Sequence, residues 1–122
     1  MKTKIGILGE ELAVKYLRSK GYSIITTHFC VRGGEIDIIA HKSKNLTFIE
    51  VKTRSIQSKG KPYEAFTKTK FIRIKRTIHS FLSQHTHTYD NFQIDLVCIE
   101  YEYNMNNCKI THYKNISLED LK

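Results

Sequence analysis

The sequence predicts an α/β domain of element order αβββαβ, a mixed central sheet flanked by helices, with an extra strand at the C-terminus. Three observations carry that prediction. Residues 4–20 and 62–83 set apolar side chains at helical spacing. Runs near 22–29, 35–40, 46–52 and 92–99 are rich in β-branched and aromatic residues. The last of these is almost wholly apolar, as befits a strand covered by helices on both faces. With 122 residues, the chain is expected to form one domain, 1–122, large enough for a single core.

In the first helical stretch, Ile5, Leu8, Leu12 and Tyr16 fall within a narrow arc, with Ala13 and Leu17 along its edge. At about 100° per residue Glu10 lies beside Leu17 at the margin of that stripe, whereas Glu11 points well away. Gly21 ends the helix. Tyr22 to Phe29 is the first strand, and the Arg32-Gly33-Gly34 turn leads it into the strand bearing Asp37. A meander of three strands results. Thr53 to Lys61 is polar and contains Gly60, which marks a loop whose Arg54, Lys59 and Lys61 are within reach of a phosphate backbone.

Pro62 suits the first turn of a second long helix, which should run to about Ser83 with Phe71, Ile74, Ile78, Phe81 and Leu82 as its core stripe. Lys68, Lys70, Arg73, Lys75 and Arg76 load the remaining surface with no compensating acid after Glu64, unlike a salt-bridged helix. That pattern favours a face that tracks phosphates. Glu64 is read as a first-turn acid favoured by the helix macrodipole, ahead of a role near a site. In the strand Phe92 to Ile99, Asp95 is read as a buried structural acid, bonded to backbone or to a basic neighbour, and is assigned to no metal. Cys108 to Tyr113 is the final edge strand, and Ser117 caps a short helix.

The chemistry concentrates between Gly33 and Arg54. Strand periodicity puts Glu35 and Asp37 on one face of the second strand, and Phe48, Glu50 and Lys52 on one face of the third; Ile36, Ile38, Thr47, Ile49 and Val51 take the other faces. A turn centred between Ser43 and Lys44 pairs Lys42 with Asn45, which sets Asp37 opposite Glu50 and Glu35 opposite Lys52. A four-residue loop ending in Asn45, which tolerates positive φ, keeps that register. Like charges opposed about 4.5–5.5 Å apart destabilise a sheet. A divalent cation such as Mg²⁺ compensates, taking hard oxygens from one or two carboxylates with water and substrate phosphate around it. Lys52, on the same face, then meets a phosphate or a polarised water. A solvated sheet face accounts for Glu35 and Lys52 as a cross-strand ion pair, but leaves Asp37 facing Glu50 unexplained.

The net charge is +8, from 20 Lys and Arg against 12 acids, the footprint of a phosphate-rich partner. No apolar run approaches the roughly 20 residues that span a bilayer, and the N-terminus lacks a signal-peptide core, so no membrane partner and a cytoplasmic location are expected. Cys30, Cys98 and Cys108 are odd in number and widely spaced, which fits reduced thiols and not a disulfide framework. His85 and His87 lie in a polar stretch read as a loop, and His28, His41, His79 and His112 are given no catalytic role. No local signature supports Ser-His-Asp or Cys-His chemistry.

Asp37 followed by Glu50-Val51-Lys52 resembles the PD-(D/E)xK nuclease superfamily motif. The strings GEELAVKYL (Gly9 to Leu17), RGGEIDIIA (Arg32 to Ala40) and FIEVKTR (Phe48 to Arg54) resemble, more closely, the YraN family of uncharacterised bacterial endonuclease-like proteins. Gly21-Tyr22, Gly60, Pro62, Glu64, Ala65, the basic helix and the Phe92 to Val97 strand extend the likeness over most of the chain. The resemblance implies a restriction-endonuclease-like fold and a Mg²⁺- or Mn²⁺-dependent endonuclease acting on DNA, similar to archaeal Holliday junction resolvases. It implies metal ligation by Asp37 and Glu50 with help from Glu10 of the first helix, and a catalytic Lys52. Nucleic-acid contacts are expected from Arg32, Arg54, Lys68, Lys70, Arg73 and Arg76, and a homodimer is the assembly that junction-cutting relatives suggest. The alternative function is a non-catalytic nucleic-acid-binding or repair-associated module. His28 and Cys30 stand where the family usually carries Asn and Arg, a departure that touches none of the expected ligands.

Overall fold

The computed structural model describes residues 3–85 and 89–121. Its elements are helix α1 (Lys4–Ser19), strands β1 (Ser23–Val31), β2 (Gly34–Lys42) and β3 (Asn45–Ser55), a 3₁₀ turn at Pro62–Ala65, helix α2 (Lys68–Gln84), strands β4 (Asn91–Tyr101) and β5 (Cys108–Tyr113), and a 3₁₀ turn at Leu118–Asp120. The five strands form one mixed sheet in sequential order, antiparallel except for the parallel β3–β4 pair. This is the predicted α/β architecture. The parallel pair needs a crossover, which α2 supplies.

One helix covers each face. On the α2 face, Phe71, Ile74, Ile78 and Phe81 pack on Ile39, Phe48, Leu96 and others. On the α1 face, Ala13 and Leu17 pack on Ile38, Ala40, Ile49, Val97 and Ile99. Alternate residues of β4 therefore serve both cores, as its near-continuous apolar run requires.

Local chemistry sets the ends. Thr3 caps α1 by accepting the Gly6 N–H at 3.0 Å. At the other end the N–H groups of Gly21 and Tyr22 bond to the carbonyls of Arg18 and Leu17, a Schellman closure that Gly21 permits with φ 93°. Pro62 does not open the long helix. Pro62–Ala65 is a separate turn, and Thr67 starts α2 by accepting the Lys70 N–H at 3.2 Å. Glu64 therefore sits outside α2, and the macrodipole explanation for it fails. The expected C-terminal helix is a single turn, closed by the Asp120 carboxylate on the Ser117 N–H at 2.8 Å and hydroxyl at 3.0 Å.

The buried face of α1 is turned from the one its hydrophobic arc predicts. Gly9, Glu10, Ala13 and Leu17 are buried, while Ile5 and Leu8 are 40% and 37% exposed. Small residues allow this, since a Cβ on Gly9 would collide with Thr53 of β3. Complete burial of an Ile or Leu side chain contributes about 1.5–3 kcal/mol. The helix gives up part of that twice and places the Glu10 carboxyl against the sheet instead.

The β2–β3 loop is tighter than expected. It has the two residues Ser43 and Lys44, with the positive φ of 55° at Ser43 and not at Asn45. The register is the predicted one, from Lys42↔Asn45 to Ile38↔Ile49. His85 stacks on Phe81 with ring centroids 4.1 Å apart, and His87 lies outside the described residues. Among the described residues no helix is long and apolar enough to cross a membrane. The three cysteines are free, and burial, with Glu100 adding to it, pushes the Cys98 thiol up to about 12.

Candidate active site

The hairpin pairing stops at Ile38↔Ile49, one rung short of Asp37 and Glu50. The Val51 N–H, which a continued ladder would commit to β2 backbone, is instead accepted by Asp37 Oδ2 at 2.8 Å. β2 and β3 therefore part where the acids begin. The expected Glu35–Lys52 cross-strand pair is absent from the β2–β3 ladder, and Glu35 pairs in register with Cys30 of β1. The alternation of β2 also slips at this point, because Ile36 joins the α2-side core whereas Ile38 joins the α1-side core. They do not share a face as periodicity predicts.

The parting gives Asp37 access to both faces. On the α2 face it lines a cavity together with Glu50, Lys52, Phe66 and Lys70. On the α1 face it lines a second cavity with Glu10, His28 and Ile38. A third, beside the first, has Glu35 and Glu50 on one side and Lys70 and Arg73 on the other. Asp37, Glu50 and Lys52 are thus brought together as the sequence suggests, and Glu10 approaches Asp37 from the opposite side of the sheet.

The basic residues divide into two groups. Lys70 and Arg73, one helical turn apart on α2, border the acids; Lys68 at the start of the helix and Arg76 a turn beyond Arg73 are exposed, and Arg32 is exposed at the β1–β2 turn. Arg54 has another occupation. It shares the face of Lys52, but its side chain is only 14% exposed and bonds Glu100 through Nε at 3.3 Å and Nη2 at 3.2 Å. It also donates to the carbonyls of Lys59 (3.2 Å) and Gly60 (2.7 Å). That fork fastens the loop after β3 to the sheet.

His28, to which the sequence assigns no catalytic role, lies against two acids. Its Nε2 lies 3.0 Å from Glu10 Oε2 and its Nδ1 3.8 Å from Glu35 Oε1. A signal was available, since a tight Arg32-Gly33 turn pairing Val31 with Gly34 carries the register to His28 opposite Asp37. Asp95, by contrast, is the structural acid expected. It is fully buried and accepts from His112, Gln93 and the Asn115 backbone.

Among the described residues no group of three or more carboxylate, imidazole or thiolate side chains could hold a metal ion. The donor set nevertheless suits a hard divalent ion. Asp37 stands beside Glu50 on one face and Glu10 on the other, and such ions are commonly held by one or two carboxylates with water and phosphate completing the shell.

Fold and site define a small α/β domain with carboxylates and lysines gathered where two strands of a mixed sheet diverge. Residues 9–99 match the model of the uncharacterised protein family UPF0102. The chain belongs to that family. It is 39% identical over 115 residues to a UPF0102 protein of Alkaliphilus oremlandii, covering 94% of this chain and 98% of the relative. It is 36% identical over 115 residues to one of Carboxydothermus hydrogenoformans, covering 94% and 96%. A third, from Campylobacter hominis, is 42% identical over 118 residues, covering 94% and 95%.

Proposed function

We propose that this protein is a Mg²⁺- or Mn²⁺-dependent endonuclease that hydrolyses phosphodiester bonds in DNA, with branched or single-stranded DNA of repair or recombination as the substrate class. The observation that carries the reading is the meeting of Asp37, Glu50 and Lys52 in one cavity bordered by Lys70. Asp37 and Glu50 would hold the ion, with Glu10 assisting from α1. When bound, the ion supplies positive charge that stabilises the phosphate and leaving oxygen as negative charge develops. Lys52 orients or activates the attacking water. Lys70 and Arg73 engage the flanking phosphates, and Lys68, Arg76 and Arg32 extend that path; such contacts position the backbone without reading sequence.

A second reading, a nucleic-acid-binding module without catalysis, draws support from the lack of a preformed three-ligand cage among the described residues. Asp37→Asn and Glu50→Gln separate the two. An amide at position 37 still accepts from the Val51 N–H, so the hairpin should hold, while the charge is gone. Both variants should keep salt-sensitive DNA binding and lose metal-dependent cleavage. Cleavage at the wild-type rate by folded variants would reject the nuclease reading.

A further inference from the structure

A further cavity, of about 350 Å³, is lined by Tyr63, Tyr113, Lys114, Ile116, Asp120 and Leu121. Tyr63, Tyr113 and Ile116 pack against the core beneath α2, so it opens on the same side of the sheet as the cavity of Asp37, Glu50 and Lys52. Two independent placements tie the cavities together. Pro62 and Phe66 line the one with the acids, and Tyr63 follows Pro62 in the same 3₁₀ turn. Leu96 lines it too, and the register partner of Leu96 on β5 is Tyr113. Successive Cα atoms are about 3.8 Å apart and paired antiparallel ones about 4.5–5.5 Å, so adjacent residues line the two cavities, which lie side by side. Resting on the nuclease reading above, we infer that the Tyr63–Tyr113 cavity seats an unpaired nucleobase of the DNA strand whose phosphate lies among the acids, and that it favours single-stranded and branched DNA over duplex.

The lining suits a base. Aromatic side chains take bases by stacking, which tolerates any sequence because every base has a π face. The two tyrosine rings meet edge to face at 67° with centroids 5.6 Å apart, and both are half-buried. A base within a duplex must be unpaired and unstacked before it can enter, whereas one in a single strand or at a branch enters at a lower cost. Charge divides the cavity between base and backbone. Hydrogen bonds from the Ser117 N–H, and then from its hydroxyl, hold the Asp120 carboxyl below the ordinary 3.8. An ionised carboxylate repels phosphate but accepts from the N–H groups of a base edge. Lys114 is exposed beside it, and exposed Lys61 places Nζ 5.9 Å from the Tyr63 ring centroid, so both offer cations to the flanking phosphates.

Both rings stand on fixed backbone. Arg54, anchored on Glu100, donates to the carbonyls of Lys59 and Gly60 and so fastens the chain just before the turn that carries Tyr63. Tyr113 is held in the β4–β5 ladder. Groups ordered before a ligand arrives lose little freedom when it binds. The Arg54 fork thereby acts as a positioning device for the cavity.

The test is binding of the full chain, in chelator, to short single-stranded DNA carrying a fluorescent aminopurine base, which stacking quenches, and to the matched duplex. Wild type should quench the probe and bind the strand more tightly than an otherwise identical strand of abasic sites, a comparison that needs no variant. Tyr63→Leu and Tyr113→Leu keep apolar bulk against the core but remove the ring. Each should weaken single-strand binding by about 5- to 150-fold, relieve the quenching and leave duplex binding nearly unchanged. Tyr63→Phe and Tyr113→Phe keep the ring and should bind as wild type does. No quenching by wild type, equal losses on single strand and duplex, or Phe variants as weak as the Leu variants would overturn the inference. So would a Tyr63→Leu protein that loses a dimer yet keeps single-strand binding, which would give the cavity to a second copy of the chain. DNA cleavage in Mn²⁺ is scored on the same proteins. Cleavage without quenching rejects the base cavity alone, and quenching without cleavage retains the cavity and rejects the nuclease.

Discussion

On the proposed nuclease reading, Lys52→Ala is expected to lower the rate of metal-dependent DNA cleavage by about 10²–10⁴-fold, the range typical for a positioned group that transfers or orients a proton. The structure gives the reason. Parallel pairing holds β3 against β4, with Lys52 opposite Cys98, so the lysine rises from a central strand with a fixed backbone. It shares a cavity with Asp37 and Glu50. Lys52 is only partly buried, so its truncation removes charge without emptying the core. Thermal unfolding should shift little while single-turnover cleavage collapses. A variant that cleaves within twofold of wild type would remove Lys52 from the chemistry.

Asp95→Ala is expected to have its largest effect on stability, since each buried donor left without its acceptor costs about 1–3 kcal/mol, a large share of the folding free energy of a domain this size. Asp95 is wholly buried on the α1 side and accepts the Gln93 amide at 2.8 Å and the Asn115 N–H at 2.9 Å. His112 Nε2 reaches it at 2.7 Å, and the other ring nitrogen meets the Tyr16 hydroxyl at 3.0 Å. Because the carboxylate only accepts, Nε2 of His112 carries the proton that Asp95 receives. One acid thereby ties α1 to β4 and β5, and its removal strands His112 in a nearly dry site.

The same acid marks the alkaline side of the stability profile. Burial, and then the charge of Asp95, hold the Tyr16 and Tyr22 hydroxyls above the ordinary 10.0. A raised folded pKa contributes stability that is complete below the unfolded value and is lost as pH climbs through the folded one. Wild-type stability should therefore decline above about pH 10, and less steeply in Asp95→Ala, where one cause of the shift is gone. Urea unfolding checks both statements; a loss below about 1 kcal/mol at neutral pH would show that the network does not hold the helix.

Between Lys42 and Ile38 of the hairpin and along α2, side-chain spacing is a sound guide. The β2–β3 register follows from Lys42 pairing with Asn45, and α2 buries Phe71, Ile74, Ile78 and Phe81 as their spacing requires. It misled where a small residue or a polar contact outweighs apolar area. Gly9 and Ala13 draw α1 down on the face that carries Glu10, a phase that the larger Ile5 and Leu8 conceal. The spacing sets Asp37 opposite Glu50, but the end of the ladder depends on a carboxylate replacing a backbone acceptor, which periodicity does not register. Arg54 is on the anticipated face, yet Glu100 and two loop carbonyls engage its guanidinium, and those partners lie on a parallel neighbour and a loop that no local pattern connects to it.

The most direct measurement is cleavage of matched single-stranded, duplex and branched DNA by purified wild-type protein in Mn²⁺, in Mg²⁺ and in chelator. Metal-dependent cutting, absent in chelator and strongest on branched or single-stranded DNA, is the predicted result. Salt-sensitive binding to all three substrates with no cutting in either metal would contradict the account and leave a binding module.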